Sequence, residues 1–230
     1  MIGWWDGPIV GFDLETTGVD VETARIVTAH LNGVNWLVAV DEDIPDAATA
    51  IHGITTEHAK TWGRPLTEVA REAYINLVNL ADSQTPVCGF NISYDLTVLD
   101  REFRRIRDDT VCVIPAHLIV IDALVLDKQH DQYRRGKRRL TDVAAVYGVP
   151  LAEGEAHGAQ ADAAAAVGVA REILTQKAHA GEDVSDLYVL HQQQVRWRWS
   201  QQQSLQEYLR RADPDVVTDK HWPIIPKGEM

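Results

Sequence analysis

Pro8-Ile9-Val10-Gly11-Phe12-Asp13-Leu14-Glu15-Thr16-Thr17-Gly18 is the stretch on which the reading of the fold turns. Pro8 to Leu14 is short and mostly apolar and predicts a buried strand, which Thr16, Thr17 and Gly18 end in a turn. Successive side chains of a strand point to opposite faces, so Asp13 and Glu15 share one face and Leu14 takes the other. Two carboxylates on one face repel each other. Such a pair raises a carboxylate pKa or recruits a hard divalent cation, which takes oxygen ligands. By itself the pair reads equally well as solvated acids at a strand end.

Downstream, Arg25 to Leu31 and Val34 to Val40 are β-rich and separated by the tight-turn pair Asn32-Gly33, so with the first strand they predict a three-stranded antiparallel meander. From Pro65, the residues Leu66, Val69, Ala70, Ala73, Leu77 and Leu80 recur at helical spacing, and Pro86 to Phe90 then reads as a strand. A helix over Asp95 to Ile106, an apolar central strand over Leu118 to Ile121, and helices over Leu140 to Tyr147 and Ala159 to Leu174 continue the alternation. The expected class is α/β, with a mixed five-stranded sheet flanked by helices. The Ala-rich character of the last helix allows close packing on the sheet.

After Ala178 a linker-like stretch leads to a long helical candidate, Leu187 to Arg211, which Asp213-Pro214 stops. Composition shifts here to Gln and Trp. Residues 1–180 are therefore expected to form the main domain and residues 181–230 an accessory helical tail. Trp197, Leu205 and Tyr208 either pack on the core or face a partner; packing carries more weight because exposed Trp clusters are costly.

The chain has 230 residues, 45% hydrophobic and 24% charged, within the range of globular domains and unlike a disordered or fibrous protein. No apolar run reaches the roughly 18–20 residues that span a bilayer, and the first residues lack a secretory signal pattern, so no membrane association and a cytoplasmic setting are expected. Cys88 and Cys112 stand in unrelated contexts and support neither a disulfide scaffold nor a zinc site. The formal charge of −12 excludes a protein that coats nucleic acid with its whole surface. It leaves room for one that holds positive charge as metal. The dense basic run Arg134-Arg135-Gly136-Lys137-Arg138-Arg139 reads equally as a solvated loop or as a contact for phosphates.

Two further acid-bearing motifs follow the first. Asn91-Ile92-Ser93-Tyr94-Asp95 puts Asp95 in the first turn of a helix, where a carboxylate is also simply a good cap. His157-Gly158-Ala159-Gln160-Ala161-Asp162 puts a histidine in a loop and Asp162 near the start of the Ala-rich helix. All three motifs lie at junctions between regular elements, where sites are usually built.

Together, Phe12 to Gly18, Asn91 to Asp95, and His157, Ala159 and Asp162 as H-x-A-x-x-D resemble the motifs of the DnaQ-like (DEDDh) 3′→5′ exonucleases, the family that includes the proofreading epsilon subunit of bacterial DNA polymerase III. Ile51-His52-Gly53-Ile54-Thr55 with Glu57 resembles another segment of epsilon-like members. The resemblance spans roughly Pro8 to Leu174, and departs from the commonest pattern at Gly158, where Arg is frequent, and Asn91, where His is frequent.

The resemblance implies an RNase H-like fold and hydrolysis of a terminal phosphodiester with two divalent cations, Mg²⁺ or Mn²⁺. Asp13, Glu15, Asp95 and Asp162 would be the metal ligands, with Asp13 between the ions, and His157 the general base. Thr16 and Thr17 would grip the terminal sugar, Ile54 and His52 would contact the terminal base, and Asn91 would contribute to substrate grip. The implied substrate is a single-stranded DNA 3′ end, with RNA as the alternative polymer and a DNA polymerase as the implied partner. A subunit that keeps the fold and acts mainly as a polymerase partner is the rival reading, weakened by the presence of all five catalytic positions.

Overall fold

A computed structural model describes residues 3–107, 112–151 and 158–227. Strands β1 (Val10–Thr16), β2 (Ile26–Leu31), β3 (Val34–Leu37), β4 (Val87–Gly89) and β5 (Val120–Asp122) form one sheet in the order β3-β2-β1-β4-β5. The expected meander is present as antiparallel β1–β2 and β2–β3 pairs. On its other side β1 pairs in parallel with β4, and β4 with β5. The first motif therefore lies on the central strand. A register shift between Glu15 and Thr16 disrupts the ladder beside the acids, a common way of re-aiming side chains.

Helices cover both faces. Phe12 and Leu14 point into a core built with α3 (Leu66–Asp82) and α4 (Ser93–Arg107), through residues such as Leu77, Leu96 and Leu99. The opposite face packs Cys88 and Ile121 against α5 (Ala123–His130), α6 (Leu140–Val146) and α7 (Ala159–His179), through Leu126, Val143, Val169 and Ile173. Cys88 is buried and Cys112 exposed, both as free thiols.

Two short helices, α1 (Asp46–His52) and α2 (Thr56–Trp62), occupy a stretch for which periodicity predicts no element, since two turns are too few to show one. Thr55 caps α2 by accepting from the His58 amide, and Ala48 and Ala59 seat the two helices on Val27 and Val40. Strand β3 ends at Leu37, short of the expected Val40, because the chain turns to a single parallel bridge between Val38 and Arg64.

The last helix, α8 (Leu187–Leu209), differs from expectation in the face it buries. Leu190, Gln194, Arg198, Gln202 and Gln206, every fourth residue, are turned inward. Trp197 packs half-buried, whereas Trp199, Leu205 and Tyr208 are exposed. Gln206 is held by the segment after α8, its Oε1 accepting from Thr218 N at 3.0 Å, and Gln194 by β5, an edge strand with unpaired backbone groups. Gln194 takes the place of a sixth strand there: its Nε2 donates to Val120 O at 3.1 Å and its Oε1 accepts from Asp122 N at 2.7 Å. Beyond α8 the chain turns back over α4, where Trp222 is buried, Ile225 N donates to Thr97 Oγ1 at 3.0 Å, and Arg101 donates to Ile225 O at 2.9 Å. No helix among the described residues is long and apolar enough to cross a membrane.

Candidate active site

Gly11, Asp13 and Glu15 share the face of β1 that meets α7, and the approach of that helix is set by the absence of a side chain at Gly11. A Cβ there would lie 2.8 Å from Ala163 O, closer than real contacts allow. This contact carries Asp162, in the first turn of α7, onto the two strand acids. One carboxylate oxygen from each of Asp13, Glu15 and Asp162 can be chosen so that all lie within 4.8 Å of one another. Asp95, buried near the start of α4, reaches β1 by a different route: its Oδ1 accepts from Leu14 N at 3.0 Å.

Four acids in so small a volume oppose one another's ionisation. Burial, followed by the charges of Asp95, Asp162 and Glu15, holds the Asp13 carboxyl well above the usual carboxylate range. Burial and then the Asp162 charge push Glu15 up to about 8. Burial raises Asp95 as well, against the lowering effect of the Leu14 amide. A cluster of oxygen donors whose charges cannot be borne together is the donor set a hard divalent cation takes. The residues present fit such an ion.

Glu15 opens onto a cleft of about 790 Å³. Trp36 and Ala29 line it from the sheet, His52, Ile54 and His58 from the α1–α2 region, and Gly158 to Ala161 from the start of α7. His52 and Ile54, both expected at the terminal base, thus sit together with an acid of the cluster, and His52 Nδ1 accepts from Ile54 N at 3.1 Å. Across the cleft, Asn35 Nδ2 donates to Gln160 Oε1 at 2.8 Å, while its Oδ1 pairs with His30 Nδ1 at 2.7 Å. Sequence reasoning missed this link between β3 and α7. Nothing in the local pattern marks either residue.

The other expected substrate residues are engaged within the protein. Thr16 Oγ1 donates to Gly18 O at 2.8 Å and lies 2.6 Å from the Tyr94 hydroxyl, which also donates to Gly18 O. Thr17 bonds Arg25 twice, its Oγ1 accepting from Arg25 N at 2.9 Å and its amide donating to Arg25 O at 3.0 Å. Asn91, with a left-handed φ of 63°, donates through its backbone to Asp122 Oδ1 at 3.0 Å and accepts from Arg198 at 3.4 Å. His157 lies outside the described residues.

Asp122, which the sequence reading left at the edge of an apolar run, joins several elements. Its carboxylate accepts from the amides of Asn91, Leu124 and Val125, and from Trp222 Nε1 at 3.3 Å. It thereby caps α5 and ties the β4–α4 turn, which leads into Asp95, to the segment after α8. Burial raises its pKa, opposed first by the Arg198 charge. In the basic run, Arg134 and Arg138 both bind the buried Asp127, at 2.7 and 2.6 Å, and Arg139 pairs with Asp142. Half of that run's arginines with a phosphate reading are thus committed to holding α5.

The exonuclease family described as RNase_T: Exonuclease matches residues 10–170. No curated protein matches the chain. Among solved structures, Escherichia coli exonuclease I in complex with a dT13 oligonucleotide aligns with a TM-score of 0.60 at 20% identity, over 76% of this chain and 42% of that one. Its zinc-bound complex with single-stranded DNA gives 0.60 at 20%, over 75% and 42%. Exonuclease I of Methylocaldum szegediense gives 0.59 at 21%, over 74% and 41%. The likeness is one of fold, and the chain spans about two fifths of the length of these structures.

Proposed function

Since the chain belongs to the DnaQ-like exonuclease family, we propose that it hydrolyses the terminal phosphodiester at the 3′ end of single-stranded DNA, one nucleotide at a time. The observation that carries this reading is the cluster of Asp13, Glu15 and Asp162, whose Glu15 lines a cleft with apolar walls. These three acids, with Asp95, are the residues that would hold two divalent cations, Mg²⁺ or Mn²⁺. Such ions supply an activated water and charge stabilisation for an in-line displacement.

The chain's own residues account for the remaining tasks. Leu37 and Ile54 offer an apolar bed for the terminal base, and the Asn35–Gln160 link holds the start of α7, and so Asp162, in place beside it. The Leu14 amide fixes the rotamer of Asp95 toward β1. His157, immediately before this helix in sequence, is assigned as general base, since an imidazole with an ordinary pKa of about 6.5 accepts a proton near neutrality. Thr16 and Thr17 shape the turn after β1 and would meet the terminal sugar from there. Exposed Trp199, Leu205 and Tyr208 on α8 offer a surface for a polymerase partner, as proofreading in the cytoplasm would require.

The test is degradation of 3′-labelled single-stranded DNA, and of matched RNA, by purified protein with and without Mn²⁺. Metal-dependent release of the label with the first mononucleotide is expected, faster on DNA. Asp162→Ala should lower the rate by about a hundred- to a thousandfold, the scale of losing one essential charge-stabilising group. Undiminished hydrolysis by that variant would sink the site assignment, and faster loss on RNA would replace the substrate.

A further inference from the structure

A second cleft, of about 520 Å³, lies between α5 and α8, away from the residues assigned above. Lys128, Gln129 and Arg138 line one side, Ser200, Gln201 and Ser204 the other, and Tyr133 stands at its mouth. Lys128 is half-buried, and no hydrogen bond or ion pair engages its ammonium among the described residues. The acids near it are committed elsewhere. Asp127 is bound by Arg134 and Arg138, and Asp122 accepts from three backbone amides and Trp222. Arg198, buried on α8 behind this wall, donates to Asn91 at 3.4 Å and faces the charges of Asp122 and Asp219.

The Lys128 ammonium therefore lines the cleft with no ion-pair partner in contact among the described residues, while Asp122 and Asp127 act on it only at a distance. Burial, then the charge of Arg198, lowers the pKa of Lys128, as expected of cations crowded together. An anion entering the cleft would relieve that crowding, and the Ser200 and Ser204 hydroxyls can donate to it. Gln201 Oε1 is buried and unbonded, an acceptor suited to a base N–H. The Tyr133 ring is 92% exposed, and Arg135 and Lys137 are exposed on the residues that follow. In a chain of net charge −12, this is an unusual concentration of cations with an open aromatic face. A cation for phosphate and a ring for bases is the pairing that holds single-stranded nucleic acid without reading its sequence.

We propose that the cleft between α5 and α8 is a second binding site for the single strand, in which Lys128 pairs with a backbone phosphate and Tyr133 stacks on a neighbouring base. The inference rests on the nuclease reading. Hydrolysis by the unaltered chain tests that reading, and equilibrium binding by variants tests this one, so either can fail alone.

The experiment measures anisotropy of a 5′-labelled oligothymidylate with full-length protein in chelator, over a salt series. Losing one phosphate contact lowers the slope of log affinity against log salt by about 0.7 and weakens binding about fivefold near 0.1 M salt. Lys128→Gln should show both changes. Tyr133→Ser, at a position too exposed to threaten folding, should weaken binding about fivefold or more with an unchanged slope. An unchanged slope in Lys128→Gln would overturn the site, as would a loss of inorganic-phosphate binding that left the oligonucleotide slope intact. Unchanged affinity in Tyr133→Ser would remove the stacking contact.

Discussion

Binding of a divalent cation to the three-acid cluster should release about one proton or more near neutral pH. Glu15, with its pKa near 8, is about 90% protonated at pH 7, so making it a ligand expels about 0.9 proton. Asp13, held well above the usual range by burial and three neighbouring acids, shifts the count in the same direction. Because ligands must be deprotonated, the apparent affinity rises with pH. Between pH 6 and 7 the Glu15 proton alone makes that rise about tenfold. Calorimetric titration of the chain with Mn²⁺ at pH 7, in two buffers of different ionisation enthalpy, counts the protons directly. Glu15→Gln should lower the count by about 0.9 proton, because its amide carries no titrating proton. A count of zero in the unaltered chain would refute the reasoning, since it would mean that the acids are already ionised and need no cation.

The same acids set the pH dependence of the metal-free fold. Glu15 has a folded pKa above its ordinary value of 4.5, so its contribution to stability is fully present below about 4.5 and lost as pH rises through about 8. Thermal melts in chelator should fall between pH 6 and 9, and Mn²⁺ should reverse the fall; a melting temperature that rose over this range without metal would contradict it. Gly11→Ala forces a Cβ against Ala163 O and should cost about 1–3 kcal/mol while weakening Mn²⁺ binding, whereas Gly18→Ala, with nothing within 4 Å, should change neither. Equal denaturant midpoints for the two variants would show that α7 is not held by this contact. Trp222→Phe keeps the apolar bulk but removes the donor to Asp122, and should cost about 1 kcal/mol, read as a drop of a few degrees in the melting temperature.

What the sequence made legible is what local periodicity encodes. Alternation along β1 placed Asp13 and Glu15 together, and the small residues of α7 announced a helix that packs close, which brings Asp162 to them. The inward face of α8 was illegible for a topological reason. Nothing in its own spacing marks Gln194 as a backbone partner until strand order makes β5 an edge, and Gln206 meets Thr218 and Lys220 only because the chain turns back after α8. Arg134 and Arg138 likewise read as free charge, because nothing in their own spacing reveals that both fold back onto the buried Asp127.

Asp95 shows where the two kinds of information meet. In sequence its position at a helix start is explained as well by capping as by chemistry. The structure supplies the missing reason in the course of the sheet. Named pairs join β1 to β4 only at Val10–Val87 and Gly11–Cys88, and β4 ends at Gly89, so the Leu14 amide, in the plane of the sheet between the two acids, has no strand beside it on the β4 side. Asp95 takes that amide. The crevice where parallel pairing ends is therefore also where a carboxylate from the next helix is drawn onto β1, as is general for sites at the carboxyl ends of strands in open α/β sheets. A short β4 is thus a requirement of the site: one more β4 residue pairing with β1 near Leu14 would displace Asp95 and leave the cluster with three acids.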